Sequence, residues 1–135
     1  MQPTTSRGFY NVAVQRMTAA ETLFQAKLNL DAQYIGGYVV ECSLKALILH
    51  LTPSADLLTK LIQISSGAKM HRAIVLLGEL RTLGVELPLP IAQRMRRFDW
   101  TTDLRYETGR RDTGETGGLL KTAKILYDWV GEQLP

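Results

Sequence analysis

The sequence predicts an all-α fold: an up-and-down four-helix bundle with one or two short extra helices, in a single domain over residues 1–135. Three observations point there. Apolar residues recur at spacings of three and four, as in Phe9, Ala13, Met17, Ala20 and Phe24. No run of Val, Ile and Thr alternates with period two, and no Asn-Gly hairpin signal occurs. The 135 residues are 45% apolar and 21% charged, enough for one core and unlike a disordered chain.

The first helix is expected to start at Thr5 or Ser6, either of which can cap it, and to run to Leu28 or Leu30. Asn29 and Asp31 then read as a break and a new cap. The second helix, Ala32 to Leu51, carries Tyr34, Tyr38, Cys42 and Leu49 on one face, with Ile35, Val39 and Ala46 beside it. So wide an apolar arc puts it at the centre of the bundle. Gly36 and Gly37 would each cost roughly 1 kcal/mol in an isolated helix. Their expected compensation is the close approach of a neighbouring helix.

Thr52-Pro53 restarts the chain, and Leu57, Leu58, Leu61, Ile62 and Ile64 form a short helix that Ser65-Ser66-Gly67 ends. The next helix, Lys69 to Leu83, is expected to turn Ile74, Leu77, Leu80 and Leu83 inward and to stop at Gly84. Pro90 opens a short helix through Ile91, Met95 and Phe98. Asp99 to Gly118 reads as a long loop. The last helix is expected to start between Thr116 and Leu119, with Leu120, Ala123, Tyr127, Val130 and Leu134 as its stripe.

The formal net charge of +3 permits nucleic-acid contact without demanding it. One cysteine, Cys42, leaves no intramolecular disulfide and no Cys-based zinc cluster, which suits a reducing cytoplasm. No signal peptide is read at the N-terminus. Tyr38 to Leu51 reads as too short and too polar to span a bilayer. No metal and no cofactor are expected.

The chemistry-bearing residues form three groups. Glu41 and Lys45, at i and i+4 in an apolar run, make either a helix-surface ion pair or a polar site in which Glu41 receives a guanidinium such as Arg105. His71, at a helix entry, is either a surface residue or part of a site near Glu41 or Arg105, whereas His50 ends an apolar helix and suits its dipole. Arg94, Arg96, Arg97, Arg105, Arg110 and Arg111 form the densest cationic stretch, with Trp100 and Tyr106 interleaved. Arginine suits bidentate phosphate contact, and the aromatics suit base stacking. Asp99, Asp103, Glu107 and Asp112 lie in the same stretch, so local ion pairs that order the loop are the competing reading. Gly109, Gly114, Gly117 and Gly118 precede a helix but carry no Gly-Lys-Ser/Thr, so they are not a P-loop.

Three separated features resemble the HEPN family. Gly37-Tyr38-Val39-Val40-Glu41-Cys42-Ser43-Leu44-Lys45-Ala46-Leu47 is similar to the family's central helix, where an acid precedes a lysine by four residues. Lys69-Met70-His71, with Leu76, Leu77 and Leu80 after it, resembles a helix entry at which members often carry a His. Trp100-Thr101-Thr102-Asp103-Leu104-Arg105-Tyr106 resembles the Arg-Tyr that often precedes the final helix. Together these cover nearly the whole chain. The resemblance implies a helical bundle, a homodimer, and a link to RNA or nucleotides, often in toxin–antitoxin or defence systems with a nucleotidyltransferase-like antitoxin. Many members are metal-independent ribonucleases carrying an Arg followed by a His four to six residues later. That motif is missing here: neither His50 nor His71 follows an Arg at this spacing, and no His follows Arg94, Arg97 or Arg105. The expectation is therefore a HEPN-like module that binds RNA, a nucleotide or a partner protein through Glu41, Lys45, Arg94, Arg97, Trp100, Arg105 and Tyr106. Its alternatives are a divergent ribonuclease using Arg105, Tyr106 and His71, and a purely structural interaction partner.

Overall fold

The computed structural model describes residues 2–135, and its regular elements are helical. They are α1 (Ser6–Gln25), α2 (Asn29–Leu51), α3 (Leu57–Ile64), α4 (Ala73–Thr82), α5 (Leu89–Arg96) and α6 (Thr113–Gln133), with 3-10 turns at Ser54–Asp56, Ala68–His71 and Thr102–Tyr106. The all-α expectation is borne out. Among the described residues three helices are long, at 20, 23 and 21 residues, and three are short, at 8, 10 and 8.

α2 is central because eight of the eleven side chains from Val39 to Leu49 are apolar, and all eleven are buried. α1 and α6 lie along it, α4 and α3 meet it, and the Thr102–Tyr106 turn covers part of its first half. Leu44, Leu47 and Ile48 are excluded from water together with Ile64, Leu76, Leu80, Leu126 and Val130. Each such aliphatic side chain contributes about 1.5–3 kcal/mol of transfer free energy. α2 is also, by length and composition, the one helix among those described that is long and apolar enough to cross a membrane; here 72% of its most apolar window is buried inside the fold.

The α1–α2 connection is tighter than the sequence suggests. α1 ends at Gln25, and Lys27 takes a left-handed conformation with φ 64°. Lys27 N–H donates to Phe24 O and Leu28 N–H to Leu23 O, the paired bonds of a Schellman cap. α2 starts at once, at Asn29, so Asn29 and Asp31 are helical rather than a break. Asn29 Nδ2 reaches across to Arg111 O and Thr113 Oγ1, and Gln33 Nε2 donates to Thr116 Oγ1, tying the starts of α2 and α6 together.

The glycine pair is explained by two different neighbours. A Cβ on Gly36 would meet Leu120 of α6, the expected helix–helix approach, while one on Gly37 would fall inside the Trp100 indole, which arrives from a loop. α6 starts three residues or more before the expected position. Asp112 caps it by accepting from Glu115 N–H at 2.8 Å, so Gly114, Gly117 and Gly118 lie within the helix rather than in a loop. α4 starts later than expected, after the Ala68–His71 turn and an extended Arg72. That changes its phase: Leu76 and Leu80 point inward, whereas Ile74, expected inward, is 77% exposed. On α3 only Ile64 is buried, and Leu58 and Ile62 are exposed. Tyr127 stacks on Tyr10 with ring centroids 5.1 Å apart, and Leu126 takes the core position beside it.

Candidate functional site

Tyr34, Tyr38, Glu41 and Lys45 recur at spacings of four, three and four, and so share one stripe of α2. Other elements bring polar groups onto that stripe. Glu41 is the hub. Its Oε2 accepts from Lys45 Nζ at 3.0 Å, and its Oε1 lies 2.9 Å from His71 Nδ1. Glu41 and Lys45 are only 6% and 5% exposed, so the pair is buried rather than on the helix surface. Lys45 Nζ also stands over the Phe9 ring of α1 at 5.9 Å. His71 arrives on the 3-10 turn Ala68–His71, with 39% of its side chain exposed.

The expectation that Glu41 receives Arg105 is corrected. Lys45 lies one turn along the same helix and His71 reaches the carboxylate from the turn above, so both oxygens are taken. Arg105 instead lies near Tyr38, with its guanidinium over the exposed Tyr106 ring at 4.8 Å. The placement of His71 beside Glu41 is the arrangement the sequence raised as one of its two readings.

Between these groups lies an aromatic cluster. Tyr34 and Tyr38 share a hydrogen bond between hydroxyls at 3.1 Å, and Trp100 Nε1–H donates to Tyr34 O at 3.2 Å. The Trp100 ring meets Tyr38 edge-on at 5.0 Å and is 6% exposed. Its face is therefore used inside the fold and is not available to stack a base, whereas Tyr106, 75% exposed, is. Burial pushes the Tyr38 phenol well above its ordinary range; the Tyr34 hydrogen bond and the Glu41 charge add to this, and Arg105 opposes it. Burial likewise pushes the Cys42 thiol up to about 12, with Glu41 adding and Lys45 and Arg16 opposing. Cys42 is thus an inert core thiol.

Arg94 and Arg97 sit on the last turn of α5 and just after it. In the stretch from Arg94 to Arg111, the one ion pair among the described residues joins Arg111 to Glu107, at 2.7 Å. The expected network of local pairs is therefore mostly not formed; Arg96, Arg97, Arg105 and Arg110 are exposed, and Arg94 is half-buried. Among the described residues no three His, Cys, Asp or Glu side chains converge as a metal site. His50 is exposed in the last turn of α2, away from the Glu41 cluster.

The chemistry of the cluster follows from donor and acceptor rules. A carboxylate only accepts, so in the His71–Glu41 bond Nδ1 carries the proton and Nε2 of the neutral ring is left as an acceptor. A carboxylate that fixes the ring and tautomer of a half-exposed histidine is the geometry of a positioned proton acceptor. Sequence reasoning missed Tyr34 and Tyr38, which it assigned to the apolar face; their 4-3-4 spacing with Glu41 and Lys45 was the available signal. No family model matches this chain, and neither a curated protein nor a solved structure matches it.

Proposed function

We propose that this chain is a HEPN-like helical module that binds RNA or a nucleotide through the arginines that follow α4, with Arg105 and Tyr106 at the centre of the contact. The observation that supports this most is the set of five arginines between Arg94 and Arg110 without an ion-pair partner among the described residues, although three acids, Asp99, Asp103 and Glu107, lie in the same stretch. Exposed guanidiniums suit phosphate oxygens, and the exposed Tyr106 ring beneath Arg105 offers a stacking surface. The homodimer and the nucleotidyltransferase-like antitoxin that the HEPN resemblance implies belong to the same proposal. Fluorescence anisotropy of a labelled single-stranded RNA at low salt tests it. Binding should weaken steeply with salt, and Arg105→Ala and Arg97→Ala should each reduce the salt dependence by about 0.7 in the log–log slope. Absence of binding at low salt refutes the reading.

A second reading is a divergent, metal-independent ribonuclease, in which His71 takes the proton of the 2′-hydroxyl as its oxygen bonds to phosphorus, the P–O5′ bond breaks with the 5′-oxygen protonated from water, and Arg105 stabilises the charge on the phosphoryl oxygens. It is favoured by the Glu41–His71 bond, which leaves Nε2 free to accept. RNA cleavage in the presence of a chelator, lost in His71→Ala with binding retained, is the result this reading requires. Intact RNA after long incubation with saturating protein rejects it and leaves the binding module.

A further inference from the structure

Between α4, α5 and the segments flanking them lies a groove of about 1030 Å³ whose apolar interior neither reading uses, although its rim shares Arg96 with the RNA-binding stretch. Its volume is at the upper end of the range for small-molecule sites, roughly 300–1,000 Å³. Leu77, Leu87, Ala92, Met95 and Phe98 form its walls, and Trp100 lines it beside them. At its lips Ile74 and Leu89 are 77% and 63% exposed, so the apolar surface continues outward beyond the walls. An aliphatic body laid there would bury this surface with its own.

The charges around the groove decide what else such a ligand carries. Arg72, Arg81 and Arg96 border it, against two acids, Glu86 and Asp99. None of the five makes an ion pair among the described residues. The three guanidiniums are thus unneutralised, they outnumber the acids, and each can receive a carboxylate through two parallel N–H bonds. We propose that this groove binds an organic anion with a long apolar body, of the long-chain carboxylate class, with its head on the Arg72, Arg81 and Arg96 rim and its chain along Leu77, Met95 and Phe98.

The probe is dodecanoate, used well below its micelle-forming concentration and titrated into the full chain carrying Trp129→Phe, so that Trp100 is the remaining tryptophan. Saturable binding with a change in Trp100 emission is expected. The substitutions Arg72→Ala, Arg81→Ala and Arg96→Ala, all at exposed positions, should together weaken binding at least about tenfold while the far-UV circular dichroism stays that of the wild type. Ala92→Trp, which fills the groove, should abolish it. Butyrate, with the same head and no long body, should not bind; dodecyltrimethylammonium, with the same body and the opposite charge, should bind far more weakly. Equal affinity for the ammonium compound, equal affinity for butyrate, an unchanged dissociation constant in the triple arginine variant, or no saturable dodecanoate binding would each overturn the proposal.

Discussion

Removing the charge of Glu41 while keeping its shape, as in Glu41→Gln, should be among the most damaging single substitutions in this fold. The carboxylate and the Lys45 ammonium are 3.0 Å apart, and both residues are more than nine-tenths buried. At that separation, an effective dielectric constant near 20 gives an attraction of roughly 5–6 kcal/mol. Without Glu41 the ammonium stays buried with no counter-charge, a situation that typically costs 3–5 kcal/mol, so about that loss is expected. It is a large part of the 5–15 kcal/mol that holds an ordinary domain together, and corresponds to a fall of roughly 10–20 °C in Tm. The double variant Glu41→Met/Lys45→Met removes both charges and the desolvation cost with them. It should return to within about 1 kcal/mol of wild type or exceed it. Urea denaturation followed by circular dichroism measures all three proteins. If Glu41→Gln lies within 1 kcal/mol of wild type, or the double variant is as unstable as the single, the pair is not the buried unit described above.

Three further outcomes follow from named contacts. Gly37→Ala should destabilise by at least about 1–3 kcal/mol and shift Trp100 emission, because its Cβ would overlap the indole, while Gly118→Ala, in open space on α6, should stabilise by about 0.5–1 kcal/mol in the same melts. Lys27→Gly should stabilise by roughly 0.5–1 kcal/mol, since relief of the left-handed strain outweighs the added freedom of the unfolded chain; a loss in the urea midpoint would contradict the Schellman cap. Stability should fall as pH rises from about 9 towards 12: the folded state holds the Cys42 proton up to about 12 against an ordinary value of 9.0, so in that window the unfolded chain binds fewer protons. Cys42→Ala should flatten this slope by up to about 1.4 kcal/mol per pH unit, leaving the part due to the half-buried Tyr10 and Tyr38 phenols. An identical slope in wild type and variant would exclude the thiol as a contributor.

What could be read in advance was whatever depends on local periodicity. Phe9, Ala13, Met17 and Ala20 line the buried face of α1 as their spacing requires, and α2 is central because its apolar arc leaves it no dry place except the middle. What could not be read was phase and termination. A left-handed Lys27 ended α1 early, a 3-10 turn before α4 rotated Ile74 to solvent, and an aspartate cap drew three glycines into α6. Each of these is settled by a few backbone bonds whose strength differs little between the competing conformations, so tertiary packing selects among them.

The candidate site divides the same way. The sequence by itself determined an all-α chain with a central helix, and an acid and a lysine one turn apart on it, because helical period and side-chain chemistry are local properties. Only the tertiary structure decided that Glu41 and Lys45 are buried, that His71 rather than Arg105 completes the carboxylate, and that Trp100 is spent on Gly37. Those outcomes depend on which loop crosses α2 at which turn. A buried charge takes whichever partner the packing brings within hydrogen-bond reach, and here that partner lies thirty residues away along the chain.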